Sequence, residues 1–151
     1  MKKFIEKFIL LSLLINIVIF FSGCERTVKE TEEAVNNINV VLINKSILPG
    51  GIAYKLKLVN DSKHQIKQNS VYLSFPLKTE NGYISNRCKV EATNNKLDIS
   101  PKEEIILDVF MQIGNYKNND LLITDKPEVE ISGYLIELKP EYHFQKIEPL
   151  E

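Results

Sequence analysis

Apolar and polar residues alternate with a period of two along most of the chain after Ile38. In residues 51–60, for example, Lys55 and Lys57 each lie between two apolar neighbours. Alternation of this kind is typical of β-strands that have one buried face. The predicted strands are Asn39–Ser46, Ile52–Leu58, Val71–Leu77, Leu97–Ile99, Ile105–Ile113 and Val129–Ile136, with a last edge strand through Tyr142, Phe144 and Ile147.

Clusters of Gly, Pro, Asn and Asp separate these segments. Glycine and asparagine tolerate positive φ and proline presets φ, so each cluster predicts a turn. The clusters are Pro49-Gly50-Gly51, residues 60–64, Asn81-Gly82, Asn94-Asn95, Ser100-Pro101-Lys102 and residues 115–120. Strands that follow one another every 8–12 residues or so are typical of two-sheet sandwiches. We therefore predict an all-β domain over residues 38–151, an antiparallel immunoglobulin-like sandwich of about seven strands.

Two turn motifs resemble those of bacterial surface immunoglobulin-like domains. Asn60-Asp61-Ser62 ends an early strand in an Asn-x-Ser pattern, and Pro101-Lys102-Glu103 precedes a late hydrophobic strand. The resemblance implies an immunoglobulin-like sandwich. Because loops on a rigid scaffold usually carry function, we expect contact sites in the loops at one end of it. The chain has no tryptophan, so the core of a true antibody domain is not expected.

The first part of the chain has the pattern of an export signal. Lys2, Lys3 and Lys7 precede an apolar run from Phe8 to Phe21. A run of this length matches the apolar region of a secretory signal, whereas a membrane-spanning helix needs about 20 apolar residues. We therefore predict that residues 1–23 are a signal peptide.

A cysteine follows the apolar run directly. Ser22, Gly23 and Cys24 resemble the lipobox of bacterial lipoproteins, although Phe21 stands where that motif usually has leucine. The resemblance implies that the Cys24 sulfur carries a diacylglycerol and that a signal peptidase recognises Phe21, Ser22 and Gly23. A protein of this type is anchored on the extracytoplasmic face of the cell membrane. The alternative is a plain signal peptide or an uncleaved anchor, in which Cys24 has no role.

Residues 24–37 are polar and contain no apolar stripe, which predicts a flexible tether between the lipid and the domain. As a random coil such a tether would span about 20 Å. The alternative is a short helix through Thr31–Val35, with Thr31 as its N-cap.

Composition excludes some classes of function. The formal net charge is −1, and removal of residues 1–23 leaves a mildly acidic chain without the basic stripe of a nucleic-acid-binding protein. If Cys24 is lipidated, Cys88 has no intramolecular partner. Because Cys88 alternates with Val90 and Ala92, we expect it to be a small buried side chain. A reactive or pairing thiol is the alternative.

Candidate catalytic groups are few. His64 and His143 have no further metal ligand at the usual spacing, and the sequence contains no catalytic or phosphate-binding motif. On a strand, Glu103 and Glu104 would point to opposite faces, whereas Glu128 and Glu130 would share one face, which we expect to be an exposed one. We predict no cofactor, no metal and no enzymatic activity.

Three aromatic residues, Tyr72, Phe110 and Tyr134, are predicted on the strand faces opposite the main apolar faces. They form either an aromatic binding patch or additional core. The sequence thus favours a lipid-anchored, extracytoplasmic protein whose β-sandwich binds a protein or a ligand at the cell envelope. The alternative function is an inhibitor or accessory subunit of a secreted enzyme.

Overall fold

The computed structural model describes residues 30–117 and 119–151. The predicted signal peptide, residues 1–23, and the predicted lipidation residue, Cys24, lie outside these ranges. Within the described part of the chain, Ala34–Glu151 forms a compact unit.

The end of the predicted tether is helical over residues 30–36, as in the short-helix alternative. Ala34 is buried. The carbonyl oxygen of Asn37 accepts a hydrogen bond from the Asp61 N–H at 2.8 Å. Residues 34–37 therefore belong to the compact unit, and the first strand follows directly.

The described residues contain nine strands, all paired antiparallel, so the all-β prediction is confirmed. They are β1 (Ile38–Leu48), β2 (Gly51–Asn60), β3 (Ile66–Ser74), β4 (Leu77–Thr79), β5 (Gly82–Ile84), β6 (Val90–Glu91), β7 (Glu104–Gln112), β8 (Glu128–Leu135) and β9 (His143–Pro149). One sheet has the strand order β1-β2-β7 and the second has the order β6-β3-β8-β9. The strands β4 and β5 form a separate hairpin.

Some predicted strand limits differ from the structure. The segment Leu97–Ile99 is not a strand, because only Ile99 pairs, in an isolated bridge with Ile66. The predicted strand Val71–Leu77 is interrupted at Phe75 and Pro76, so that Leu77 opens the β4–β5 hairpin. A proline has no N–H to donate, so the ladder of a central strand ends where one occurs.

The alternating apolar residues of both sheets bury their side chains in one cluster. In β2 the inward residues Tyr54, Leu56 and Leu58 are at most 1% exposed. Burial of each such side chain contributes about 1.5–3 kcal/mol. The other strand residues of the cluster are Ile38, Val40, Ile52, Ile66, Val71, Leu73, Leu107, Val109, Met111, Val129, Ile131, Leu135 and Phe144.

Strand direction gives the domain two distinct ends. The chain enters β1 at Ile38 and first reverses after Leu48, about 33 Å away at about 3.3 Å per residue. Because β7 pairs antiparallel with β2, Gln112 lies opposite Gly51 and close to that first reversal. We call the end near Ile38 the entry end and the end near Leu48 the far end. The entry end comprises residues 34–37, 61–65, 100–103 and 136–142. The far end comprises residues 48–51, 75–89, 113–117 and 119–127.

The side chain of Asn60 stabilises the entry end through hydrogen bonds to neighbouring loops. Its Nδ2 group donates to the carbonyl oxygens of His64, Ile99 and Ser100 at 2.9, 3.2 and 3.0 Å. Its Oδ1 atom accepts hydrogen bonds from the N–H of Ser62 at 3.2 Å and from its hydroxyl at 2.6 Å. Asn60 is fully buried, so the Asn-x-Ser motif joins the chain after β2 to the segment before β7.

Candidate binding site at the far end of the domain

Four apolar side chains are exposed at the first chain reversal. Ile47 is 82% exposed, although its cross-strand partner Ile52 is buried. Leu48, Phe110 and Ile113 complete the set, which we call the apolar tip. Leu48 and Phe110 are each more than 40% exposed. Apolar residues clustered at one place on a surface mark candidate contact sites.

Gly51 allows the two elements of the tip to approach closely. A Cβ atom at this position would lie 2.2 Å from the Met111 carbonyl oxygen and 3.0 Å from the Phe110 ring. A second contact comes from the Ile113 N–H, which donates to the Gly50 carbonyl oxygen at 2.9 Å. The glycine pair therefore serves close packing of β7 against the turn, in addition to the reversal predicted from the sequence.

A groove of about 320 Å³ lies beside the end of β7. Its apolar lining includes Phe75 and Met111, which are both buried, and the half-buried Val90. The remaining lining residues are Asn86, Cys88, Lys89, Gly114 and Asn115. The groove is near the lower limit of small-molecule pockets, about 300–1,000 Å³, so its size suits one or two side chains.

The prediction that Cys88 is buried is wrong, because its thiol is exposed. Val90 and Ala92 do face inward as predicted. The strand that carries them begins only at Val90, so the alternation does not extend back to Cys88. The Cys88 N–H instead bonds the Asn86 side-chain oxygen at 2.9 Å, which bends the chain at the rim of the groove.

The three predicted outer aromatic residues do not form a single patch. Tyr72 and Tyr134 lie on the outer face of the four-stranded sheet, whereas Phe110 lies on the three-stranded sheet. The Lys89 ammonium covers the Tyr72 ring at 4.3 Å and pairs with Glu130 at 2.6 Å. The Tyr134 ring contacts the edge of His143 at a centroid distance of 5.1 Å. Phe110 alone contributes to the far-end surface.

The histidines and acidic pairs are dispersed. His64 lies in the entry-end loop and His143 begins β9. In the first acidic pair, Glu103 is bonded to Lys96 and Glu104 to Lys57. Among the described residues no group of three acidic, histidine or cysteine side chains is arranged to hold a metal ion.

The second acidic pair lies on β8, but the prediction that both carboxylates are exposed is wrong for Glu128. Glu130 bonds Lys89, but the neighbouring Glu128 is buried, and its Oε2 atom has no hydrogen-bond partner in the described part of the chain. The carboxylates of this pair do not line the groove.

Tyr54 is a buried polar group that sequence reasoning did not single out. Burial, with a smaller contribution from Tyr116, raises the pKa of Tyr54 to about 12. Its hydroxyl has no hydrogen-bond partner among residues 30–117 and 119–151. The Lys45 ammonium lies 5.6 Å from the centre of its ring. A phenol in this setting stays neutral and serves packing.

The β4–β5 hairpin is a second exposed feature of the far end. It is anchored through the Lys78 N–H, which donates to the Leu121 carbonyl oxygen at 2.8 Å, and through a bridge between Leu77 and Leu122. Its outer strand exposes Tyr83 and Ile84, each by more than half. The hairpin therefore carries an aromatic and an aliphatic side chain outside both sheets.

Comparison with known proteins found no family model that matches the chain and no curated protein that matches it significantly. Among the helices of the described residues, none combines the length and apolarity required to span a membrane.

Proposed function

We propose that the protein is a lipid-anchored, extracytoplasmic lipoprotein whose β-domain is non-catalytic and binds a protein partner with its far end. The observation that carries the proposal is a group of exposed apolar residues at the far end, in addition to single exposed residues elsewhere such as Leu97 and Leu138. The apolar tip and the hairpin residues Tyr83 and Ile84 all lie at the far end. The chain enters the domain at the opposite end.

The protein would be attached to the membrane through the chain that leads into the entry end. The lipobox-like residues Phe21, Ser22, Gly23 and Cys24 precede the domain in the chain. A diacylglycerol on Cys24 supplies two acyl chains, and two chains are what stable anchoring requires. A membrane anchor on the chain before the entry end would raise the local concentration of the domain near envelope partners.

The fold proposed for the domain is an immunoglobulin-like sandwich. Its support is the strand order, with β1-β2-β7 in one sheet and β6-β3-β8-β9 in the other. The buried Asn-x-Ser motif at Asn60 is further support, since the same motif carried the resemblance in the sequence. In sandwiches of this kind the loops at one end commonly form the contact surface.

Replacement of Cys24 tests the anchor. We expect the wild-type chain in the membrane fraction, with a mature N-terminus at Cys24 and a diacylglycerol mass on it. The Cys24→Ala variant should lose both the lipid and the membrane attachment. Cys88→Ala is the matched control, because the chain has only two cysteines, and it should remain lipidated. A lipid-modified, membrane-bound Cys24→Ala product contradicts the proposal.

Charge placed on the apolar tip tests the contact surface. Chemical crosslinking on intact cells should give an adduct with an envelope protein for the wild type. Ile47→Asp should lose most of this adduct, because a carboxylate would have to be desolvated in the contact. Leu138→Asp is the control at the entry end, where Leu138 is likewise exposed. Equal adduct yields from both variants would exclude the far end.

An inhibitor or accessory subunit of a secreted enzyme is the second candidate function. The β4–β5 hairpin favours it, because a protruding loop with exposed Tyr83 and Ile84 can enter a cleft of another protein. Inhibition of a secreted hydrolase by the purified protein, lost in Tyr83→Ser and retained in Ile47→Asp, would establish this function in place of the first.

A further inference from the structure

We infer that the free edge of β7 accepts an extended segment of a partner protein as an additional strand, with one partner side chain in the groove. This inference rests on the proposed binding function and specifies the chemistry of the partner. The edge in question runs from Val109 to Gln112.

The hydrogen-bond pattern shows which backbone groups of β7 are unpaired. Asp108 exchanges two hydrogen bonds with Thr93, on the side of β7 that faces away from β2. Because an antiparallel ladder alternates, Phe110 and Gln112 direct their backbone groups to that same side. Within the described residues, no hydrogen bond reaches the Phe110 N–H, the Phe110 carbonyl or the Gln112 N–H. The Gln112 carbonyl is not counted among these free groups, because Gln112 is the N-cap residue of the 3-10 helix Ile113–Asn115.

The other sheet edges are protected against strand addition. A register shift between Leu42 and Asn44 distorts β1, and Lys45 points inward beside Tyr54. At the β9 edge, Lys146 reaches across and donates to the Ile38 carbonyl oxygen at 2.7 Å. The β6 edge is only two residues long. Bulges, inward charges and short strands are the usual means of blocking an edge.

The far half of β7 has none of these protections. Residues 109–113 contain no charged residue and no proline, and the pairing of β7 with β2 is continuous through Gln112. The unpaired backbone groups of this segment form a row of donor (Phe110 N–H), acceptor (Phe110 carbonyl) and donor (Gln112 N–H). The partial charges of that row complement an extended main chain, which offers acceptor, donor and acceptor in return.

The groove determines the kind of strand that fits. On the inner side, a partner residue would contact Phe75, Val90 and Met111. On the outer side, its chain neighbour would pack beside Phe110. Met111 of β7 lines the groove together with Asn86, Cys88, Lys89 and Val90. A single extended segment thus reaches this edge more easily than the β7 strand of a second copy, which has the same residues beside its own edge. The occupant is therefore an extended segment of a different protein that places an apolar side chain in the groove.

Gln112→Pro tests the inference without a large change in the domain. The φ angle of Gln112 is −64°, the value that proline requires. Met111 before it is in a strand, as a residue preceding proline should be. The substitution removes an N–H that has no partner within the described part of the chain and places a ring at the edge. Gln112→Ala keeps the N–H and is the matched control.

Each variant is combined, in the full-length chain in intact cells, with a photo-crosslinking residue at Asn115 in the groove or at Ile47 on the tip. We expect the Asn115 probe to capture a partner in the Gln112→Ala chain and about tenfold less in the Gln112→Pro chain, equal to about 1.4 kcal/mol. The two variants should have the same melting curve. Agreement would show that Gln112→Pro blocks the edge without unfolding the domain.

Other outcomes overturn one or both proposals. Equal capture at Asn115 in both variants contradicts strand addition. Capture at Ile47 alone, insensitive to proline, contradicts strand addition but leaves the binding function. An adduct made only of two copies of this chain contradicts the choice of occupant. Failure of both probes to capture a protein contradicts the binding function and, with it, strand addition.

Discussion

The two ends of the domain are built in opposite ways. At the entry end, the buried side chain of Asn60 satisfies backbone groups of three other residues. At the far end, Ile47 and Phe110 are exposed and a row of backbone groups on β7 is unpaired in the described structure. Unpaired backbone groups of this kind are usual on an edge strand. Buried hydrogen bonds thus close the entry end, whereas the far end leaves apolar side chains and part of a sheet edge open to contact.

The largest expected effect is at the entry end. Asn60→Ala removes the donor of three buried or partly buried hydrogen bonds and leaves their carbonyl oxygens without it. At about 1–3 kcal/mol for each unsatisfied buried group, we expect a loss of about 4 kcal/mol in the free energy of unfolding. Urea denaturation measures this loss.

The control for Asn60 is Asn44→Ala, because the Asn44 side chain is exposed and bonds only the Ser46 hydroxyl at 3.2 Å. Its expected effect is below about 0.5 kcal/mol. Equal effects of the two substitutions would show that the Asn60 network does not fasten the entry end.

The second prediction compares cross-strand neighbours at the far end. Ile47 and Ile52 pair directly, yet Ile52 is buried and Ile47 is exposed. Ile52→Ala should destabilise the domain by about 3 kcal/mol, as a large-to-small substitution in a core does. Ile47→Ala should change stability by less than about 0.5 kcal/mol. A large loss of stability from Ile47→Ala would mean that the tip is part of the core and not a free contact surface.

The sequence alone predicted the long strands well, for a physical reason. β2, β7 and β8 each have one buried face, so their side chains alternate clearly and their limits agree with the prediction within about two residues. In β3 the alternation begins only after a register shift between Lys67 and Ser70, which explains why its first part was missed. Strands of two or three residues, such as β6, are too short to show a period.

The candidate site was less predictable, because it depends on strand order. Sequence reasoning placed Phe110 on an outer face, and the structure agrees. It did not identify β7 as an edge strand, since pairing between distant segments is not encoded in a local pattern. In Ile47-Leu48, two adjacent apolar residues occupy opposite faces, so alternation cannot show that both are exposed. The groove combines residues from separate parts of the chain, and no local pattern in the sequence indicates that they lie together.

A smaller effect is expected at Tyr54, below the far end. Tyr54→Phe removes a buried hydroxyl that has no partner among the described residues, so it should stabilise the domain by about 1 kcal/mol at pH 7. The folded-state pKa of Tyr54 is about 12 and its ordinary value is 10.0. Ionisation therefore favours the unfolded chain, and stability present below pH 10 is lost as the pH rises toward 12.

The difference in melting temperature between wild type and Tyr54→Phe should accordingly grow between pH 10 and pH 12. Tyr83→Phe, at an exposed tyrosine of the hairpin, should follow the wild type throughout. Loss of stability in Tyr54→Phe would show instead that the hydroxyl has a hydrogen-bond partner, such as a bound water molecule. Buried polar groups near the far end would then be hydrogen-bonded as completely as those at the entry end.

The smallest effect concerns an ion pair at the entry end. The hydrogen bond from Lys96, followed by that from the Ser100 N–H, lowers the pKa of Glu103 below its ordinary value. A lowered folded-state pKa means that the stabilising contribution is present above the unfolded value and is lost as the pH falls through the folded value. Glu103→Gln should therefore lower the melting temperature slightly at pH 7 and not at low pH, so that the melting temperature of the variant depends less on acid. Lys96→Met should have a similar but smaller effect, because the hydrogen bond from the Ser100 N–H to Glu103 remains. The double variant should add little to Glu103→Gln. Additive effects of the two substitutions would show that Lys96 and Glu103 do not act through their ion pair.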